Sequence, residues 1–132
     1  MDRFVGKYQF VSGDAAFDDF LKACGVNIVM RKAGSLSKPV VELKQDGDTF
    51  ILKTTTTFKT SEIKFKLGEE FEETRMDGST CKTIITLEDG KLVQKQSGDK
   101  EVTIIRELEG DQMKTICKVD DIVSTRLYNR CE

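Results

Sequence analysis

Residues 102–128 read VTIIRELEGDQMKTICKVDDIVSTRLY and contain three short segments rich in β-branched residues, separated by two acidic turns. The segments Val102–Glu109, Gln112–Val119 and Ile122–Tyr128 each have the length and composition of a β-strand. The turns Glu109-Gly110-Asp111 and Asp120-Asp121 are short and built from residues that favour tight turns. Because such short connections join antiparallel neighbours, this stretch predicts an antiparallel meander.

The same pattern extends upstream to the start of the chain, so about ten strands are predicted in total. The further strands are Phe4–Val11, Val40–Lys44, Thr49–Thr56, Lys59–Lys66, Glu70–Thr74, Thr80–Leu87 and Lys91–Gln96. An open sheet of ten strands in a chain this short would leave edges exposed. A closed antiparallel up-and-down barrel or β-clam is therefore the expected all-β architecture.

A helix is predicted between the first and second strands. Phe17, Phe20, Leu21 and Cys24 follow the i, i+3, i+4, i+7 spacing of an apolar helical stripe. Asp14 is available as the N-cap residue, and Gly25 ends the helix.

A second short helix is predicted directly after the first. Asn27 can cap it, and its apolar residues are Ile28, Val29, Ala33 and Leu36. Gly34 is expected to break the helix and Pro39 to end it, which gives a helix-turn-helix hairpin ahead of the meander.

The chain length and charge limit the possible organisation and partners. With 132 residues and no linker, residues 1–132 are expected to form one domain. The formal net charge of −2 argues against nucleic acid as a partner. No apolar export segment follows Met1, so a cytoplasmic location is expected.

The absence of histidine restricts the possible chemistry more than any other feature. Ser-His-Asp and Cys-His catalysis and His-ligated zinc sites need an imidazole, and the chain has none. The four cysteines form no CxxC pair, so neither a redox motif nor a metal site is indicated. We therefore expect a protein that is not an enzyme, with no metal and no cofactor.

The last strand carries an unusual polar face. Alternation places Ser124, Arg126 and Tyr128 on the same face as Ile122. Ordinary patterning would bury the other face and leave Arg126 in solvent. A barrel that holds a ligand reverses this expectation, because its water-containing interior can direct a few polar groups at a bound molecule. Arg126 and Tyr128 would then form an anion clamp.

Particular short stretches across the whole chain resemble the intracellular fatty-acid-binding protein family. They are Gly6-Lys7-Tyr8, Phe17-Asp18-Asp19-Phe20, Gly25-Val26, Lys38-Pro39, Asp46-Gly47-Asp48, Thr57-Phe58-Lys59, the run from Phe65 to Glu73, and the terminal Arg126-x-Tyr128. The resemblance is to the heart, adipocyte and myelin branch. It implies a ten-stranded β-clam, a helical lid and non-covalent binding of long-chain fatty acids in the cytosol.

The resemblance also implies site residues at matching positions. Arg106, Arg126 and Tyr128 would hold the ligand carboxylate. Phe17, Phe20, Val26 and Phe58 would form the portal, and Pro39, Thr54, Met76, Asp77 and Cys117 would line the cavity wall. At helical spacing, Phe17 and Phe20 could equally be ordinary packing residues.

The sequence leaves two aspects of the function open. Lys22, Arg31 and Lys32 on the lid could steer a monomer to anionic membranes or could be plain solvated charges. The alternatives to a fatty-acid carrier are a retinoic-acid-type carrier and a lipid-dependent regulatory protein. A ligand titration would separate the two carriers.

Overall fold

A computed structural model describes residues 2–75 and 78–131, and these residues form ten β-strands and two α-helices. The strands are β1 Gly6–Gly13, β2 Val40–Asp46, β3 Thr49–Thr55, β4 Thr60–Phe65, β5 Phe71–Thr74, β6 Thr80–Glu88, β7 Lys91–Ser97, β8 Val102–Glu109, β9 Gln112–Val119 and β10 Ile122–Arg130. The helices α1 Ala16–Ala23 and α2 Ile28–Leu36 lie between β1 and β2. The predicted all-β fold with a helical hairpin is confirmed.

The ten strands form one antiparallel sheet in the order β4-β3-β2-β1-β10-β9-β8-β7-β6-β5. The chain therefore runs up and down around the barrel, and β1 joins the two halves by pairing with β2 and β10. Within the described residues, β4 and β5 share no hydrogen-bonded ladder and end the sheet order. The barrel is thus nearly closed.

The strand bounds differ from the prediction mainly at the N-terminus. The predicted strand Phe4–Val11 is observed at Gly6–Gly13, because Phe4 lies in a 3-10 turn over Asp2–Phe4. That turn is fixed by the hydroxyl of Tyr8, which donates to the Phe4 carbonyl at 2.7 Å. A bulge between Phe10 and Ser12 then bends β1 where it pairs with β10.

The prediction that Asp14 caps α1 is wrong, because the N-cap position is Ala15. The Asp14 carboxylate instead accepts hydrogen bonds from the Ser124 hydroxyl at 2.8 Å and the Thr125 amide at 2.9 Å. Desolvation alone would raise the pKa of Asp14, but these bonds outweigh it and lower the pKa. Asp14 therefore ties the start of α1 to β10.

The second helix begins as predicted, since Asn27 Oδ1 accepts from the Met30 amide at 3.0 Å. The predicted break at Gly34 is wrong, because α2 continues to Leu36. Gly34 is where the helices approach closely: a Cβ there would lie 3.3 Å from Leu21 Cδ1. Gly34 therefore allows α2 to pack closely against α1, although glycine lowers the helix propensity of α2.

An ion pair also joins the two helices. Arg31 Nε donates to Asp18 Oδ1 at 3.1 Å, and Arg31 Nη1 donates to the Val26 carbonyl at 2.9 Å.

Neither helix of the described residues has the length and apolar character needed to cross a membrane.

Candidate ligand-binding site

A cavity of about 340 Å³ lies inside the barrel, beneath α1 and α2. Its size is in the range of small-molecule sites. Ten of the sequence-predicted site residues line it: Phe17, Phe20, Val26, Pro39, Thr54, Phe58, Arg106, Cys117, Arg126 and Tyr128. The predicted wall residues Met76 and Asp77 lie outside the described residues.

The last strand of the chain, β10, turns its polar face to the cavity. Arg126 is 6% exposed and Tyr128 5% exposed, whereas Val123 on the opposite face is 50% exposed. The interpretation of Arg126 as a solvated charge is therefore wrong. Polar and apolar faces are exchanged relative to ordinary patterning because the barrel interior is a cavity rather than a filled core.

Aromatic rings fix the guanidinium of Arg126. Its Cζ lies 4.3 Å from the ring centroid of Phe10 on β1 and 3.9 Å from that of Phe17 on α1. Both distances are within the range of cation–π attraction. The Arg126 stem also runs past Gly13, where a Cβ would lie 3.4 Å from Arg126 Cγ. Phe17 thus contacts the candidate anchor as well as lining the cavity.

A chain of hydrogen bonds orients Arg106 from the other side. Arg106 Nη1 donates to Gln94 Oε1 at 2.8 Å, and Gln94 Nε2 donates to Glu73 Oε1 at 2.8 Å. Glu73 also accepts from the Thr83 hydroxyl at 2.9 Å and from Gln96 Nε2 at 3.1 Å. Burial lowers the pKa of Arg106, and nearby groups, including Glu73, oppose that shift.

Sequence reasoning missed this network of Glu73, Thr83, Gln94 and Gln96. All four side chains are buried. The signal was present in β7, where Gln94 and Gln96 alternate with Val93 and Lys95 and so share one face. Two amides facing a barrel interior need buried partners, and Glu73 supplies them.

The site carries an excess of positive charge. Within residues 2–75 and 78–131, neither Arg106 nor Arg126 makes an ion pair. Among the residues that the structure describes, Arg106 is linked to the Glu73 carboxylate through Gln94. A buried and a half-buried guanidinium group beside a phenol can bind a carboxylate by charge-assisted hydrogen bonds.

Cys117 lies on the cavity wall but is poorly suited to nucleophilic chemistry. Desolvation raises its pKa to about 11, although Arg106 and Arg126 each pull it down. At neutral pH the side chain is therefore a thiol, the less reactive form. Its contribution to the site is apolar packing with Phe20.

Apolar side chains are exposed on α2 and in the turn between β3 and β4, next to the cavity. Phe58, in the turn between β3 and β4, lines the cavity and is still 64% exposed. On α2, Ile28, Val29 and Leu36 are also exposed. Lys22 and Lys32 point to solvent and do not line the cavity, whereas Arg31 is mostly covered by its ion pair.

A nearly closed antiparallel barrel with a helical lid and cationic groups facing an internal cavity defines a ligand-binding protein of the β-clam class. The chain belongs to the lipocalin and cytosolic fatty-acid-binding protein family, whose model matches residues 5–130. This family consists of lipid-binding carriers.

Individual relatives match almost the full chain. A fatty acid-binding protein of Lepidoglyphus destructor is 45% identical over 131 residues, covering 98% of this chain and 99% of the relative. Cellular retinoic acid-binding protein 1 of Takifugu rubripes is 43% identical over 137 aligned positions, covering 98% and 99%. The solved Schistosoma mansoni fatty acid binding protein in complex with arachidonic acid is 34% identical with a TM-score of 0.95, covering 100% and 98%.

Proposed function

We propose that the protein binds one long-chain fatty acid non-covalently in the cavity and carries it through the cytoplasm as a single-domain monomer. Arg106, Arg126 and Tyr128 hold the carboxylate, and the tail lies along the apolar wall. The observation that carries this proposal is the pair of arginines that line the cavity, Arg126 buried and Arg106 half-buried, neither of them in an ion pair with a described residue. The relatives named as fatty-acid-binding proteins support the ligand class.

The tail and the carboxylate have different roles in binding. A tail of about fourteen methylenes contributes about 11 kcal/mol gross, at roughly 0.8 kcal/mol for each methylene buried. A charge-assisted hydrogen bond adds only about 1.5 to 3 kcal/mol net. The tail therefore supplies most of the affinity, and the arginines decide which end of the ligand lies deep. Ordering the ligand and the lid reduces the sum.

The second candidate is a retinoic-acid-type carrier. Retinoic acid also presents a carboxylate, and a relative named for retinoic acid is 43% identical to this chain. The carboxylate anchors would be the same, so the two candidates differ in tail shape rather than in the polar groups of the site. The lipid-dependent regulatory alternative would use this same cavity.

Delipidated protein is expected to bind oleate at a ratio of one to one, because the described residues enclose a cavity with one cluster of anchors. Isothermal titration calorimetry measures both the ratio and the affinity. A submicromolar dissociation constant is expected from a largely buried tail, on the order of 8 kcal/mol or more. Heat no larger than that of a buffer blank would overturn the proposal.

We also propose that the lid makes transient contact with anionic membranes. Lys22 on α1 and Lys32 on α2 are exposed, and α2 also exposes Ile28 and Val29. Cationic and apolar groups together favour the surface of an anionic bilayer. Arg31 contributes less to this surface, since it is held by Asp18 and the Val26 carbonyl.

The double variant Lys22→Glu/Lys32→Glu is expected to slow transfer of a fluorescent fatty acid to vesicles containing phosphatidylserine by about tenfold or more. Each lysine near such a surface contributes about 1 kcal/mol, and each reversed charge adds repulsion. Transfer to phosphatidylcholine vesicles should be unchanged. The matched control is Lys64→Glu/Lys95→Glu, which makes the same charge change on exposed residues of β4 and β7. Equal slowing by both double variants would rule out a role specific to the lid.

A further inference from the structure

Thr115 on β9 has a buried hydroxyl with no visible role in the fold. The residue is 6% exposed and lines the cavity. Its Oγ1 atom has no hydrogen-bond partner in the part of the chain that the structure describes. A buried hydroxyl without a partner is destabilising, and valine would fill nearly the same space without that penalty.

The sheet register places Thr115 between the two arginines. Its Cα pairs with that of Arg106 on β8 and with that of Arg126 on β10. Neighbouring strands are about 4.8 Å apart, so the three residues form a row across the cavity wall. Residues paired across an antiparallel sheet point to the same face, which places the hydroxyl on the cavity side with both arginines.

The two guanidinium groups are held on opposite sides of Thr115. Arg126 stacks on Phe10 of β1, the strand beyond β10. Arg106 bonds to Gln94 of β7, the strand beyond β8. Each guanidinium is therefore held toward the strand beyond its own, and Thr115 lies on β9 between the two arginine strands.

Two flanking cations also set the direction of the hydroxyl dipole. The oxygen is attracted to the guanidinium groups, so the O–H bond is directed away from them. The hydroxyl then offers a hydrogen-bond donor to the cavity. The group that pairs best with a donor between two cations is an anionic oxygen.

We propose that Thr115 is a further ligand-contacting residue that determines specificity, and that its hydroxyl donates a hydrogen bond to a carboxylate oxygen of the bound ligand. This proposal rests on the fatty-acid-binding function proposed above. It explains why a hydroxyl occupies a position where no described residue forms a hydrogen bond with it. Such a group reduces stability when the cavity is empty and is satisfied when the ligand binds.

The test combines a stability measurement with a binding measurement on Thr115→Val. Without ligand, the variant is expected to melt at the wild-type temperature or a few degrees higher, because the unpaired hydroxyl is gone. Its affinity for oleate is expected to fall about tenfold, as for one charge-assisted hydrogen bond. Its affinity for oleyl alcohol should change by less than about threefold. Thr115→Ser, which keeps the hydroxyl, should retain most of the acid preference.

Thr103→Val is the matched control, since it makes the same substitution on β8 at a residue outside the cavity lining. It should leave the ratio of acid to alcohol affinity unchanged. The assignment of Thr115 is overturned if wild type binds oleate and Thr115→Val keeps the wild-type ratio of oleate affinity to oleyl alcohol affinity. That includes the case in which both affinities fall by the same factor. If wild type takes up no oleate, the proposed function fails and the assignment of Thr115 fails with it.

Discussion

Arg126→Gln is expected to lower the affinity for oleate by about 10- to 100-fold, the value of one or more charge-assisted hydrogen bonds. The affinity for oleyl alcohol should change little or improve, because a buried guanidinium that a neutral head group cannot pair is removed. The difference in affinity between oleate and oleyl alcohol should therefore become smaller. Isothermal titration calorimetry with both ligands measures this difference directly.

Two further variants separate the site from general effects. Lys118→Gln removes the same unit of charge from an exposed position on β9 and should leave the acid preference intact. Arg126→Lys keeps the charge but loses the planar guanidinium with its paired donors. Its preference for oleate over oleyl alcohol should lie between those of wild type and Arg126→Gln. Because Arg126 also stacks on Phe10 and Phe17, thermal melting must show that each variant is folded. An unchanged ratio of acid to alcohol affinity in folded Arg126→Gln would remove Arg126 from the site.

Glu73→Ala is expected to lower the free energy of unfolding by about 3 kcal/mol. Glu73 is the shared acceptor for Thr83, Gln94 and Gln96, so its loss removes the acceptor of three buried donors. Thr83 keeps only a weak contact with Cys81 Sγ at 3.4 Å. Each unsatisfied buried group costs about 1 to 3 kcal/mol. Water that enters the space left by the Glu73 side chain can bond to some of these donors and so offsets part of the loss. Denaturant unfolding followed by circular dichroism at pH 7 measures the loss.

The neighbouring residue provides the control for this effect. Glu72→Ala makes the same substitution one residue away on β5, on the exposed face, and should change stability by less than about 0.5 kcal/mol. Glu73→Gln keeps one acceptor oxygen and should show an intermediate loss. Equal stabilities for Glu73→Ala and Glu72→Ala would mean that solvent replaces Glu73 at no cost.

Strand periodicity predicted the barrel well because it depends on local signals. β8 and β9 have the predicted bounds, since acidic turns delimit β9 on both sides and end β8. The capping of α2 by Asn27 is equally local. Contacts from distant parts of the chain explain the two helix errors: Asp14 bonds to β10, and Gly34 packs against α1.

The candidate site was harder to predict than the fold. Periodicity placed Arg126 and Tyr128 on one face but did not show which face was internal, and the resemblance to a family supplied that choice. Thr115 and Gln94 carry no motif. The importance of Thr115 appears only from the register that pairs it with both arginines, and that of Gln94 only from its hydrogen bond to Arg106. Residues that act through neighbours on other strands are hard to recognise in a single sequence, because their partners are distant along the chain.

A comparison of three ligands shows whether a carboxylate is bound between Arg106 and Arg126. Delipidated wild-type protein would be titrated in the calorimeter with oleate, oleyl alcohol and all-trans retinoic acid. Oleate is expected to bind at a ratio of one to one, at least tenfold more tightly than the alcohol and more tightly than retinoic acid. Preference for retinoic acid would move the protein to the retinoid carriers. Equal affinity for oleate and its alcohol would contradict the carboxylate site itself.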